Sequence, residues 1–307
     1  MQTMKPASRT PLIAMLLAAE LLIAGMVVYS LRGGHLASGF AGLHSAGAAG
    51  DFVAKTIAPI AVGNAPRVTI DDPDSGVSIT ASTDGMVHVK DDTYFSGMMW
   101  GTHGAYPQVK VTQDATGVHI SRASYGGGWF SVMGDSRQHI EVQIPPAATL
   151  AIVHCDSAEI ADLSGGTIAV HSDDGHIKAS HVSTDSLQLD TDDGSVEALN
   201  LALTGAAPLL KLHSNDGHIR ASGRFPAGGN YDLSTNDGHM YAELAPGSDV
   251  AIDASTSDGA IRVDGVRQRQ FDHGDPASGT VRIGTGAAPM RLSTQDGSID
   301  ITTNGAE

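Results

Sequence analysis

Six aspartates precede the glycine of one recurring turn in the second half of this chain: Asp174, Asp193, Asp216, Asp237, Asp258 and Asp296, often with Asp or Asn one residue earlier. Stacked strands would hold such carboxylates about 4.8 Å apart. Like charges at that spacing repel, so each must be met by backbone N–H groups, by water or by a cation. Ca²⁺ is the hard, oxygen-seeking candidate, with Asp174, Asp193, Asp216, Asp237 and Asp258 as its ligands. The nonapeptide of calcium-binding β-rolls is missing, however. Asp that caps backbone in tight turns is the preferred reading, and no cofactor is expected.

Histidines flank the same turns: His171 and His176, His213 and His218, and His239. Neighbouring imidazoles bind Zn²⁺ or Cu²⁺, but Asp190 and Ser195 occupy the equivalent places of the intervening copy. Solvated polar faces are preferred. Cys155, the single cysteine, lies in the alternating stretch LAIVHCDSAEI. That pattern makes it a small, half-buried hydrophobe, against the alternative of a reactive thiol. Paired carboxylates in a groove would suit a glycan-active enzyme. Here the carboxylates are periodic, whereas a catalytic pair is a singular break in a pattern. No Ser-His-Asp order, phosphate-cradling loop or metal-hydrolase motif is present. No enzyme activity is expected.

These residues sit in one recurring phrase: HSDDGHIKA (His171–Ala179), DTDDGSVEA (Asp190–Ala198), HSNDGHIRA (His213–Ala221), STNDGHMYA (Ser234–Ala242), STSDGAIRV (Ser255–Val263) and STQDGSIDI (Ser293–Ile301). A degenerate copy, ASGTVRI, lies around Gly279 between the last two. Steps of about twenty residues without helical periodicity predict an all-β fold, a single-chain β-solenoid of stacked rungs. Two residues after each turn glycine stand Ile177, Val196, Ile219, Met240, Ile261, Val281 and Ile299; four after stand Ala179, Ala198, Ala221, Ala242, Val263, Ile283 and Ile301. With Leu189, Leu212, Leu233 and Leu292 before the turn, they alternate with polar residues as half-buried strands do. Ser172, Thr191, Ser214, Thr235, Thr256 and Thr294 share the inward parity. They predict a ladder of hydroxyls bonded to backbone or to one another. Glycine is expected at the turns because it accepts positive φ.

The net charge of −16 and the lack of basic clusters exclude a nucleic-acid surface. Residues 12–32 read as a transmembrane anchor: Leu12 to Leu31 is apolar except at Glu20 and Ser30. Lys5 and Arg9 precede the run, so residues 1–11 form a cytoplasmic tail and the rest is exported. A cleaved signal peptide ending at Ala46-Gly47-Ala48 is the competing reading. The Gly- and Ala-rich residues 33–65 read as a flexible linker, and 66–303 as the solenoid. Tyr94, Phe95, Trp100, Tyr106, Tyr125, Trp129 and Phe130 gather in glycine-rich insertions. They cap the open end of the stack or, as the sharper alternative, Tyr94, Phe95, Trp100, Trp129 and Phe130 form a ligand patch.

Three phrases together resemble the bacterial putative-adhesin domain family, exported Asp-Gly-repeat domains of unknown function. They are RVTIDDPDSGVSIT, GGGWFSVMGDSRQHIEVQIPP and the Asp-Gly rungs, and the match covers roughly Pro66 to Thr303. The resemblance implies a right-handed β-solenoid at the cell envelope and brings no catalytic residues. The chain departs from the pattern at Gly265–Asp275, expected to bulge as a loop. Residues and resemblance together predict an envelope protein held in the cytoplasmic membrane, with its solenoid on the periplasmic or extracellular side. It acts as a non-catalytic structural or adhesive module toward an envelope protein or glycan. A glycan-active enzyme and an envelope-sensing partner of a membrane signalling protein are the alternatives.

Overall fold

The computed structural model describes residues 43–44, 51–63, 65–95, 98–100, 108–123, 130–132, 136–267 and 277–304. Every regular element among them is a β-strand. No helix among the described residues is long and apolar enough to cross a membrane, and residues 12–32 lie outside them.

The strands stack in parallel as layers, each with a strand before the turn (first face) and one after it (second face). Layer four is Thr167–Ser172 with Ile177–Ser180, and layer five is Ser186–Asp193 with Val196–Leu203. Layer six is Leu209–Asp216 with Ile219–Arg224, and layer seven is Asn230–Asp237 with Met240–Leu244. Register is kept from one copy to the next, so that Leu187, Leu210 and Tyr231 are successive partners. The predicted inward residues Ile177, Val196, Ile219, Met240, Ile261 and Ile299 are at most 1% exposed and share one core. Alternation in the strands thus becomes a continuous apolar interior in an all-β, solenoid-like sheet.

Beyond layer seven the stacking leaves chain order. Asn230–Asp237 pairs with Ala288–Asp296, which pairs in turn with Val250–Asp258. On the second face Ile299–Thr303 likewise lies between Met240–Leu244 and Ile261–Val263. The last copy of the phrase is therefore layer eight, inserted between the fourth copy and the fifth, which is layer nine. ASGTVRI is not a rung. Its strand, Ala277–Ile283, runs antiparallel on Val250–Asp258 and closes the stack, with Val266–Arg267 doing the same on Ile261–Val263. An antiparallel strand there covers the ladder that a terminal rung would leave open.

The other end mirrors this arrangement. Layer three is Thr149–Ala161, and layer two is Arg67–Ala81. Layer one joins Gly117–Ser121 on the first face to His139–Ile144 on the second, with residues 122–138 where other layers have a tight turn. Lys110–Asp114 and Met86–Phe95 run antiparallel on layer one. The first rung in sequence is thus an interior layer, as the last one is. Asp51–Thr56 and Ile60–Ala61 pair on Met86–Phe95, so the folded body begins upstream of Pro66, inside the stretch expected to be a linker. Val266 and Arg267 form a strand within the stretch expected to loop out, and residues 268–275 lie outside the described ones.

Candidate functional site

The turn chemistry resolves around a single backbone atom, the carbonyl oxygen of each turn glycine. Thr191 Oγ1 donates to Gly175 O (3.2 Å), Ser214 Oγ to Gly194 O (2.7 Å) and Thr235 Oγ1 to Gly217 O (3.2 Å). Thr294 and Thr256 continue the series to Gly238 O and Gly297 O. These hydroxyl-bearing residues, with Ser172, are at most 5% exposed. The predicted hydroxyl ladder is present and runs to backbone. The same carbonyls explain the glycines: a Cβ on Gly194, Gly217, Gly238, Gly297 or Gly259 would overlap the carbonyl oxygen of Gly175, Gly194, Gly217, Gly238 or Gly297, respectively. Positive φ occurs at Gly194, Gly238 and Gly297 but not at Gly175, Gly217 or Gly259. Crowding between layers, common to all six, is therefore the general requirement for glycine.

The acidic row is real and solvent-facing. Asp193, Asp216, Asp237, Asp296 and Asp258 are successive register partners, and all are exposed, as is Asp174. None of these carboxylates accepts a hydrogen bond from another described residue, so the expected side-chain caps do not form. The turn N–H groups are already used between layers: Gly194 N–H donates to Asp216 O, and Gly217 N–H to Asp237 O. The residues before four of these Asp link the layers instead. Gln295 Nε2 donates to Asn236 Oδ1, Asn236 Nδ2 to Asn215 Oδ1, and Asn215 Nδ2 to Asp192 Oδ1. This amide relay follows the spatial order of the layers rather than the chain order. Among the described residues no three His, Cys, Asp or Glu side chains are grouped to hold a metal ion.

The histidines engage neighbouring layers instead. His176 Nδ1 lies 2.6 Å from Ser195 Oγ, His213 Nδ1 2.9 Å from Ser234 Oγ, and His239 Nδ1 2.8 Å from Ser298 Oγ. His218 stacks on His239, and His171 lies 3.3 Å from Asp190. Cys155 continues the inward hydroxyl column into layer three, its thiol 3.6 Å from His171 O. Burial, reinforced by Asp156, Asp173 and Asp72, pushes the thiol up to about 12 and leaves it protonated and unreactive at neutral pH.

One surface feature escaped the sequence reading. Across the second face, the central outward position is Glu159, Lys178, Glu197, Arg220, Tyr241, Asp300 and Arg262 in successive layers. Opposite charges neighbour each other, with ion pairs at Lys178–Glu159 (3.5 Å) and Arg262–Asp300 (3.4 Å). Tyr241 interrupts this row and is 45% exposed. It lies in a shallow depression of about 430 Å³ with Glu197, His218, Arg220, Glu243 and Asp300. Tabulating the position three after each turn glycine would have revealed it, since only this copy carries an aromatic there.

At the capped end, the backbone brings part of the predicted aromatic patch together. Trp100 and Phe130 are register partners in a separate sheet of Leu43–His44, Met98–Trp100 and Phe130–Val132. Tyr94 and Phe95 end the strand that caps layer one. Trp129, Tyr106 and Tyr125 lie outside the described residues.

A model of the Toastrack DUF4097 domain matches residues 78–302. The chain belongs to this family. That agrees with the likeness read from the entry strand, the Gly-Trp-Phe segment and the Asp-Gly rungs. The Toastrack body is similar to a crystal structure described as a "putative cell adhesion protein" from Clostridium sporogenes ATCC 15579, at 12% identity and TM-score 0.40 over 83% of this chain and 100% of that one. A "putative adhesin" from Bacteroides fragilis NCTC 9343 shows 13% identity and TM-score 0.38 over 81% and 96%. One from Parabacteroides distasonis ATCC 8503 shows 11% and 0.33 over 82% and 98%. No curated protein matches the chain in sequence.

Proposed function

We propose that this Toastrack protein is a non-catalytic binding module of the cell envelope. Residues 12–32 hold it in the cytoplasmic membrane, and its right-handed stack is displayed on the far side. The observation that carries this reading is the division of labour among the polar residues. Hydroxyls, turn glycines and amides bind layer to layer, the thiol is buried, and the acidic row is uniform. One singular side chain, by contrast, lies on open surface. Tyr241 breaks a charge-matched row inside a shallow polar depression. An exposed aromatic ring beside a guanidinium and carboxylates suits a flat ligand surface, such as a sugar ring or a partner's side chains. The strands carrying Tyr94, Phe95, Trp100 and Phe130 offer a second contact region at the capped end.

The test is affinity capture of the tagged full chain from crosslinked cells, comparing wild type with Tyr241→Ala and with a Trp100→Ala/Phe130→Ala variant. The expected result is an envelope glycan or membrane protein that wild type retains and at least one variant loses. Recovery of a single membrane protein would assign the module to envelope sensing, and recovery of glycan to adhesion. Turnover of a polysaccharide abolished by one Asp substitution, but not by its neighbours, would replace this reading with an enzyme.

A further inference from the structure

Eight Asp-Gly steps occur in the chain: the six of the recurring turn, Asp84-Gly85 and Asp264-Gly265. An Asp before Gly is open to self-modification, because no side chain shields the next backbone nitrogen from the Asp carboxyl. That nitrogen attacks Cγ and forms a C–N bond. The carboxyl hydroxyl leaves with the amide proton as water, and a succinimide ring is closed. Water then adds back to either ring carbonyl. Opening at the backbone carbonyl leaves isoaspartate, whose chain runs through the former side chain and whose former backbone carbonyl is a free carboxylate. Water is released and taken up again, so no oxidant or reductant is needed. The reaction requires a free Gly N–H, an untethered Asp carboxyl and room for one extra main-chain atom.

The layered fold withholds these conditions from most of the steps. In spatial order a turn glycine donates to the Asp carbonyl of the following layer: Gly194 to Asp216, Gly217 to Asp237, Gly238 to Asp296 and Gly297 to Asp258. Layer nine has no successor, and Gly259 N–H has no acceptor among the described residues. Gly259 is also exposed, whereas the other five turn glycines are half-buried. The cap strand Ala277–Ile283 begins opposite Thr256, short of this corner. Gly175 N–H lacks a described acceptor too, but its layer is interior. Gly175 is pressed against Asp156 O of layer three and accepts from Thr191 Oγ1 of layer five. The two steps outside the repeat are tethered. Asp84 Oδ1 lies 2.9 Å from His88 Nε2 and accepts from Met86 N–H (3.0 Å), which holds its carboxyl below the usual carboxylate range. An ionised carboxylate resists attack by a nitrogen. Asp264 accepts from Thr303 N–H and Thr303 Oγ1, both at 2.7 Å. Asp258 is exposed, and its carboxylate has no such tether among the described residues.

We propose that Asp258-Gly259, at the corner of layer nine, is a site of spontaneous aspartate isomerisation, and that stacking protects the interior steps. In an interior layer the extra main-chain atom would have to fit between two neighbours in register. Asp216, for example, has Asp193 on one side and Asp237 on the other. Asp258 has a register partner on one side only, Asp296. The product also alters the contact that seats the layer. Gly297 N–H donates to Asp258 O (2.9 Å), the carbonyl that becomes the free carboxylate. Layer nine is thus the part of the stack that ages, while the layers beneath it keep their turns.

The experiment ages the purified full-length protein in detergent at neutral pH. Isoaspartate is then mapped by proteolysis and electron-transfer fragmentation, which separates the two linkages. It should build up at Asp258 about tenfold or more ahead of Asp193, Asp216, Asp237 and Asp296, whose glycine nitrogens are released only when a layer opens. In denaturant the six turn steps should convert at similar rates, since the layers no longer shield them. Asp258→Glu, which cannot close the same ring, should remove the signal at this corner. No isoaspartate at Asp258, an interior step converting first, or the same preference for Asp258 in denaturant would each overturn the proposal.

Discussion

Stopping the chain after Gly286 removes layer eight and tests the layer order. The lost side chains include Met290, Leu292, Ile299 and Ile301, each at most 1% exposed. At about 1.5–3 kcal/mol for each buried side chain, the loss is ~6–12 kcal/mol. Domains have only about 5–15 kcal/mol in total. If the copies stacked in chain order, the truncation would remove one terminal repeat with one interface and leave the rest standing. In the observed order it removes a layer with two interfaces, stranding layer nine and its antiparallel cap. The truncated protein should therefore lose its cooperative melt by circular dichroism, and protease should cut between residues 245 and 286. A crosslinking pair reads the order without unfolding anything. In a Cys155→Ser background, Ser234→Cys with Ser293→Cys should form a disulfide, because these residues are parallel register partners. Their expected Cα separation, about 4.8 Å, falls within the range a disulfide spans. Ser234→Cys with Ser255→Cys should not crosslink. The opposite crosslinking result, or a truncated protein melting within a few degrees of full length, would refute the inserted layer.

Gly217→Ala should cost about 1–3 kcal/mol by forcing two layers apart, against less than about 0.5 kcal/mol for the exposed neighbour Asp216→Ala; equal shifts in chemical denaturation would contradict the crowding account. Ser214→Ala should cost about 0.5–1.5 kcal/mol, since it removes the part-buried hydrogen bond to the carbonyl of Gly194, and a neutral effect would mean that the ladder is ornamental. Asp237→Asn should hold or slightly raise the melting temperature by relieving like charges on Asp216 and Asp296, worth about 0.2–1 kcal/mol. A Ca²⁺-dependent rise in wild-type melting that Asp237→Asn abolishes would instead restore a cation to the acidic row. Cys155 should resist a thiol reagent at neutral pH until denaturant is added; rapid labelling of the native protein would show that its thiol is accessible.

The residue types at each place in the phrase carried the layer itself. Period-two alternation selects Ile177, Val196 and Ile219 for the interior, and short side chains at the corner imply tight stacking. These are local properties, repeated at a spacing close to twenty residues, and no distant contact is needed to read them. The glycines were legible as necessary but for a partial reason, because the carbonyl that excludes a Cβ belongs to the neighbouring layer. The amide relay from Gln295 to Asp192 was equally hidden, since its donors and acceptors come from different copies.

Which copies touch is a different kind of information. Ser234–Ala242 pairs with Ser293–Ile301 rather than Ser255–Val263, although all three phrases carry the same pattern of inward residues. Interchangeable rungs have interchangeable interfaces, so their sequences do not encode their order. Closure decides it: antiparallel strands cover both open ends, and the first and last rungs become interior layers. The buried ion-paired cluster of Arg122 with Asp72 and Asp91 likewise unites residues of two strands with the residue that follows a third, and only packing could place them together. The sequence by itself thus determined an all-β stack with an apolar interior and polar corners, through local periodicity. Tertiary structure alone decided the order of the layers, the capping of the ends and the partners of the buried charges, because those depend on which identical-looking surfaces are left to meet.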